Sequence, residues 1–149
     1  MVTVARQYVL PLPSNLQLLN ANERLHWSAK ARKSRAIRDA AGWTARHHKV
    51  PPLVRARITF VVHPARGGRL DPHNWYPSAK AAIDGLVDVG VLPDDDHTHL
   101  LGVDAQIGPV VKGGRLDLVV TEVPDDPPGT AATPQPATPH PATEGHARS

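Results

Sequence analysis

The chain has 149 residues, which suits one domain with a modest core, and it contains one Phe, one Met and two Tyr. It has no cysteine, which excludes disulfides and thiolate zinc sites. No apolar run is long enough to span a membrane and the N-terminus lacks the apolar stretch of a signal peptide, so we expect a cytoplasmic protein. The net charge is +3, and positive charge concentrates between Arg24 and Lys49. This favours a polyanionic partner such as nucleic acid, although a solvated helix face explains it about equally well.

The N-terminal half predicts a short strand, a loop and a basic helix. Tyr8 to Leu10 predict the strand, and the polar stretch from Asn15 to Arg24 predicts the loop. Ser28 is expected to cap a helix that runs to about His48. At helical spacing one side of it is apolar, with Ala29, Ala36, Ile37, Ala40, Ala41 and Trp43. The other side is basic, with Arg32, Arg35, Arg38, Arg46 and Lys49. We expect Trp27 and Trp43 to be core anchors.

The following segments predict three strands and a second helix. Apolar residues alternate with polar ones between Val54 and His63, as in a strand with one buried face. Pro77-Ser78 open a helix whose stripe of Ala79, Ala82, Ile83, Leu86 and Val87 is expected to be buried. Lys80, Asp84 and Asp88 share a face of this helix away from the core. Strands are predicted over Leu100 to Ile107 and around Leu116 to Val120, the latter after a Gly113-Gly114 turn.

These elements predict an α/β (α+β) domain in which two main helices pack on a small mixed sheet. We assign the domain to residues 1–123. Residues 124–149 are rich in Pro, Ala and Thr and contain almost no large apolar side chains. Such a segment cannot bury enough surface to offset its ordering entropy, so a disordered C-terminal tail is expected.

Two polar segments at element boundaries carry the candidate chemistry: Arg69 to Asn74, and Pro93 to His97 with its three consecutive aspartates. Adjacent carboxylates repel one another unless they are solvated, paired or bridged by a cation, and hard oxygen ligands suit Mg²⁺ or Mn²⁺. Such an ion can activate water for attack on a phosphodiester, with Lys80 as the nearby cation. The competing interpretation is a plain turn with a capping carboxylate, and composition alone favours that interpretation.

The ordered motifs between Arg69 and Leu101 resemble those of the RusA family of Holliday junction resolvases. These motifs are Arg-Leu-Asp-Pro-His-Asn, then Lys-Ala-Ala-Ile-Asp-Gly-Leu, then Gly-Val-Leu-Pro-Asp-Asp-Asp, and Asn22 to Trp27 before the basic helix adds to the likeness. The resemblance implies a homodimeric, Mg²⁺-dependent endodeoxyribonuclease, with Mn²⁺ as an alternative, that nicks four-way DNA symmetrically in recombination and repair. It places the catalytic residues at Asp71, Lys80 and Asp95. Asp84 is as readily structural as catalytic.

The expected metal ligands are Asp71, His73, Asp94 and Asp95. His73 stands where the family often has a second Asp, and imidazole suits Mg²⁺ poorly, so His73 is a ligand, a general base or neither. Asp96 or Asp94 is then a candidate for the missing oxygen. A helix of about 16 Å separates Asp71 from Asp95. We therefore expect the connecting segments to fold back within one chain, with a site shared across a dimer as the alternative.

Arginines are expected to hold DNA phosphates, because guanidinium offers a planar fork of donors. The candidates are Arg32, Arg35, Arg38, Arg55, Arg57 and Arg69. His97 and His99 are expected to have surface roles rather than to bind metal, and Trp75 either packs under the site or wedges into a junction. Two other functions remain open: a non-catalytic protein that binds branched DNA, and a metal-binding structural or interaction protein.

Overall fold

The computed structural model describes residues 6–14 and 16–124. Four strands and two α-helices follow one another in the order β1 (Gln7–Pro11), α1 (Trp27–His47), β2 (Ala56–His63), α2 (Tyr76–Asp88), β3 (Leu100–Ile107) and β4 (Arg115–Glu122). A 3₁₀ helix, Pro72–Trp75, leads directly into α2. This is the small α+β fold with a mixed sheet that the sequence pattern predicts. The expected tail lies outside the described residues, except for its first residue, Pro124.

The sheet has the strand order β1-β4-β2-β3. β4 pairs antiparallel with both β1 and β2, whereas β2 and β3 are parallel. The strand β2 shows the predicted alternation, because Ala56, Ile58, Phe60 and Val62 are all buried. It begins two residues later than predicted, and Val54 is exposed. The predicted bounds of β3 agree with the structure.

The predicted stripe of α2 forms the centre of the core. Ala79, Ala82, Ile83 and Leu86 are fully or almost fully buried against the sheet and α1. Ser78 is also fully buried, and its hydroxyl donates to the carbonyl oxygen of Leu19 at 2.7 Å and accepts from the Leu19 N–H at 2.6 Å. This pair of hydrogen bonds anchors the loop before α1 to the first turn of α2.

Helix α1 starts one residue before the predicted cap, and its buried face shares only Ile37 and Ala41 with the predicted apolar side. His26, not Ser28, is the N-cap, and its Nδ1 accepts from the Ser28 N–H at 3.2 Å. The buried residues of α1 are Ile37, Ala41, Gly42, Thr44 and Ala45. The expectation that Trp27 and Trp43 anchor the core was wrong, because these side chains are 76% and 62% exposed.

Two glycines explain why the packing face of α1 differs from its apolar stripe. A Cβ at Gly85 of α2 would lie 2.1 Å from the Arg38 carbonyl oxygen, and one at Gly42 would lie 3.2 Å from the Gly85 carbonyl oxygen. Helices approach this closely only where side chains are absent. The close crossing turns Gly42 and Ala45 of α1 toward α2, and Trp43 is left on the solvent side.

Within residues 6–14 and 16–124, no helix combines the length and apolar character that crossing a membrane requires.

Candidate active site

The chain turns back along α2 directly after the helix ends. The Val91 N–H donates to the Leu86 carbonyl oxygen at 2.9 Å, and the Val91 carbonyl oxygen accepts from the Leu53 N–H at 2.7 Å. Val91 and Leu92 are buried, which holds this turn against the core. The following residues therefore run beside α2 rather than away from it, which brings Asp95 to Lys80. A site shared by Asp71 and Asp95 within one chain stays a prediction.

Lys80 lies between two carboxylates as a result. Its Nζ donates to Asp84 Oδ1 at 2.9 Å, one helical turn along α2, and also to Asp95 Oδ2. We call Asp84, Lys80 and Asp95 the Asp–Lys–Asp cluster. Its side chains are a third to just under a half exposed, so substrate and ions can reach them. One chain supplies all three residues, including two of the three predicted catalytic residues.

The contact between Lys80 and Asp95 shifts the pKa of both groups toward their charged forms. The hydrogen bond to Asp95 raises the pKa of the Lys80 ammonium above its ordinary value, and the hydrogen bond to Asp84 is the second cause. The same hydrogen bond from Lys80 lowers the pKa of the Asp95 carboxyl below its ordinary value. Lys80 is therefore a fixed positive charge at neutral pH and cannot act as a general base there.

The other two aspartates of the acidic run have local partners. Asp94 Oδ1 accepts from the backbone N–H of Asp95 at 2.7 Å. Asp96 Oδ1 accepts from the N–H groups of Thr98 and His99 at 3.0 and 3.2 Å and from the Thr98 hydroxyl. The bond from Thr98 lowers the pKa of Asp96. The capping interpretation of the acidic turn therefore describes Asp96 well, whereas Asp95 alone points toward Lys80.

Asp71 lies at the entrance of the 3₁₀ helix, on the N-terminal side of α2. It is exposed, and its Oδ1 accepts from the His73 N–H at 3.0 Å, which makes Asp71 the cap of that helix. His73 is exposed as well. In the part of the chain that the structure describes, no three or more His, Asp or Glu side chains form a group that could hold a metal ion. Metal binding by Asp71, His73, Asp94 and Asp95 stays a prediction.

The Asp–Lys–Asp cluster nevertheless offers the kind of donors that a hard cation requires. Two carboxylates converge on a single ammonium group, so their oxygens already surround one cationic centre. Mg²⁺ commonly binds to only one or two protein carboxylates and completes its shell with waters and substrate phosphates. Asp84 and Asp95 fit this requirement if the flexible Lys80 side chain moves aside.

An open groove of about 820 Å³ runs between α1 and α2 beside this cluster. Lys80 and Asp84 line it from α2, and Lys30 and Arg35 line it from α1. Arg35 is one of the six predicted phosphate-binding arginines. Asp39 also lines the groove, so α1 places mainly, but not only, positive charge next to the carboxylates of the cluster.

The remaining predicted DNA-binding arginines are distributed over the surface. Arg38 borders the groove, but its guanidinium makes two hydrogen bonds to the Asp88 carboxylate, which raise the pKa of Arg38 and lower that of Asp88. The Arg38–Asp88 ion pair joins α1 to α2. Arg32 is exposed on α1, away from the lining of the groove.

Three of these arginines come from β2, its approach and the loop that follows it. Arg57 is exposed on β2, and Arg69 is exposed in the loop before Asp71. Arg55 is half-buried and donates to the Pro124 carbonyl oxygen at 3.0 Å. The structure thus brings Arg35 and Arg38 to the groove and leaves the other four arginines elsewhere.

Asp84, which the sequence leaves as readily structural as catalytic, pairs with Lys80 at a spacing of four residues. That spacing alone is sufficient to predict the contact, because residues four apart adjoin on a helix surface. Comparison with protein families finds none that matches the chain, and comparison with curated proteins finds no relative.

Proposed function

We propose that this protein is a metal-dependent endodeoxyribonuclease that resolves Holliday junctions and other branched DNA in recombination and repair. The observation that carries the proposal is the Asp–Lys–Asp cluster, which is assembled within one chain at the side of a groove bordered by Lys30 and Arg35. Such a set of groups suits hydrolysis of a polyanion. The carboxylates balance the charge of a bound metal ion, and the ammonium and flanking cations stabilise negative charge on the phosphate.

In this proposal Asp84 and Asp95 hold Mg²⁺ or Mn²⁺, and Asp71 and Asp94 are the candidates for further oxygen ligands. The bound ion would supply an activated water and neutralise charge on the phosphodiester. The Lys80 ammonium, released from Asp95, donates to a phosphate oxygen and stabilises the negative charge that develops there. The ordinary pKa of a lysine, about 10.4, keeps the released ammonium protonated for this role at neutral pH.

The basic residues of the groove position the DNA backbone. Lys30 and Arg35 face the groove and are available to phosphates, whereas Arg38 already stabilises the helix pair through Asp88. Two opposed nicks in a four-way junction require two sites related by symmetry, so a homodimer with a two-fold axis fits this substrate.

Cleavage of a synthetic four-way junction in Mg²⁺ or Mn²⁺ tests the proposal. We expect symmetric nicking by the wild-type protein and a loss of about 10²–10³-fold with Asp95→Asn, as for other groups that stabilise transition-state charge. Asp104→Asn is the matched control, because Asp104 is an exposed aspartate on β3, away from the cluster. Failure to cut in either metal, with junction binding intact, would exclude the nuclease.

The fold-back within one chain has its own test. Mixed dimers of Asp71→Asn chains with Asp95→Asn chains contain no intact site if each chain builds its own. A site shared across the dimer would restore cleavage in these mixed dimers.

A non-catalytic protein that binds branched DNA is the second candidate. It is favoured by the observation that Lys80 already forms ion pairs with Asp84 and Asp95, so these carboxylates need a metal ion less to balance their charge. Binding that weakens steeply with salt but no cleavage in either metal would support this candidate.

A further inference from the structure

The outer face of α1 combines an exposed aromatic stack with unpaired positive charge. We define this outer face by six exposed residues that lie within about a third of a turn of one another: Arg32, Arg35, Asp39, Trp43, Arg46 and His47. Trp43, the edge of the predicted apolar side, therefore lies beside the arginines in the structure. The Trp43 indole is 62% exposed and stacks on the His47 ring with a centroid distance of 5.0 Å and an interplanar angle of 7°. A large, nearly flat aromatic platform therefore faces solvent instead of the core.

Apolar surface gains free energy when it leaves water, so the exposed Trp43 indole favours a partner that covers it. Here the close crossing at Gly42 and Gly85 keeps Trp43 out of the core. The ring of Trp43 is consequently open to a partner on the side that His47 does not cover.

The charges around Trp43 specify the chemistry of that partner. Helix α1 contains six Lys and Arg residues and a single acidic residue, Asp39. Lys33 pairs with Glu23 and Arg38 pairs with Asp88. Within residues 6–14 and 16–124, no ion pair engages Arg32, Arg35 or Arg46.

The length of the outer face matches a short run of nucleotides. Arg32 and Arg46 are separated by about 21 Å along the axis at 1.5 Å per residue. This span corresponds to about six nucleotides at the stacked duplex rise of 3.4 Å, and to fewer when an unpaired strand is extended. Cations that flank an exposed aromatic ring are the arrangement by which proteins bind single strands, with phosphates on the cations and bases stacked on the ring.

We propose that the outer face of α1 binds an unpaired stretch of DNA, with one base stacked on Trp43 and flanking phosphates on Arg32, Arg35 and Arg46. This inference rests on the proposed function for its DNA substrate and deepens it, because it assigns the recognition of unpaired nucleotides to a surface that adjoins the groove through Arg35 and places Trp43 outside the groove lining. Stacking is tolerant of sequence, so the surface selects unpaired structure rather than a base sequence.

Binding of a dT oligonucleotide of about 12 nucleotides to the full chain in EDTA tests the proposal, with fluorescence anisotropy as the readout. Trp43→Ala is expected to weaken binding by about 5- to 100-fold, the range for loss of one base stack, and Trp43→Phe to retain most of the affinity. Trp27→Ala is the matched control. It removes a tryptophan that is 76% exposed on the same helix, nearly opposite Trp43, and it should bind like wild type.

Salt dependence separates stacking from phosphate contact. Arg46→Gln should reduce the slope of log affinity against log salt by about one, whereas Trp43→Ala should leave that slope unchanged. Equal affinities of Trp43→Ala and wild type, or an equal loss with Trp27→Ala, would overturn the proposal. Failure of the wild-type protein to bind dT would also overturn it.

The metal-free binding assay keeps this inference separate from the nuclease. If the junction is never cut but the effect of Trp43→Ala appears, the DNA surface stands and the catalytic proposal fails. If the junction is cut and Trp43→Ala binds dT as well as wild type does, the catalytic proposal stands and the surface is refuted.

Discussion

The crossing of α1 and α2 at Gly85 provides the sharpest test of the packing described above. A Cβ on residue 85 would lie 2.1 Å from the Arg38 carbonyl oxygen, about 0.9 Å short of the 3.0 Å that real Cβ atoms respect. The obstacle is a backbone atom inside α1, so it cannot rotate away. Gly85→Ala must therefore push the two helices apart and loosen contacts along the whole crossing.

The expected magnitude follows from two opposing effects. Overpacking costs about 1–3 kcal/mol, and a rigid backbone obstacle places Gly85→Ala near the upper end of that range. Replacing Gly with Ala in a helix interior gains about 1 kcal/mol in helix propensity. The net loss in the free energy of unfolding is about 2 kcal/mol, or about 8 °C in melting temperature for a domain of this size.

Thermal and urea unfolding followed by circular dichroism would measure this effect in a graded series. Gly42→Ala should be milder than Gly85→Ala, because its nearest neighbour is the movable Val89 Cγ1 at 2.9 Å. Gly67→Ala should change stability by less than about 0.5 kcal/mol, because no atom lies within 4 Å of its Cβ position. If Gly85→Ala is as stable as wild type or more stable, helix propensity outweighs the contact and the close crossing is refuted.

Two further predictions concern the anchor of the first loop and the pH dependence of stability. Ser78→Ala leaves both backbone groups of Leu19 without their buried partner and should cost about 1–3 kcal/mol in urea unfolding, whereas Ser34→Ala, on the half-exposed part of α1, should cost much less. Because the folded-state pKa of Asp95 is lowered, its stabilising effect is complete above the ordinary Asp pKa of about 4 and is lost as pH falls through the lower folded value. The free energy of unfolding of Asp95→Asn should therefore fall less steeply than that of wild type as pH decreases below about 4, and identical slopes would contradict the Lys80–Asp95 contact.

Local periodicity predicted the four strands and two α-helices of residues 6–14 and 16–124, but not the 3₁₀ helix Pro72–Trp75. The alternation at Ala56, Ile58, Phe60 and Val62 predicted β2, and the helical stripe through Ala82 and Leu86 predicted the buried face of α2. Each of these patterns shows which side of one element faces the core. That side is determined by residues close together along the chain.

The candidate site was predictable only in part, for the same reason. The Lys80–Asp84 contact follows from helical spacing, but the Lys80–Asp95 contact joins residues fifteen apart and depends on the turn at Val91 and Leu92. Which of three consecutive aspartates would point inward could not be read from residue type. Backbone hydrogen bonds in that turn decide it, since they engage Asp94 and Asp96 locally.

The sequence by itself determined the elements, the mixed α+β class, and the presence of acidic and basic segments at element boundaries. Tertiary structure alone decided the strand order, the in-chain fold-back that brings Asp95 to Lys80, and the exposure of Trp43. For the exposure of Trp43, the physical reason lies in the crossing of α1 and α2. Missing side chains at Gly42 and Gly85 let two backbones touch, and that contact between distant residues outweighs the preference of a tryptophan for burial.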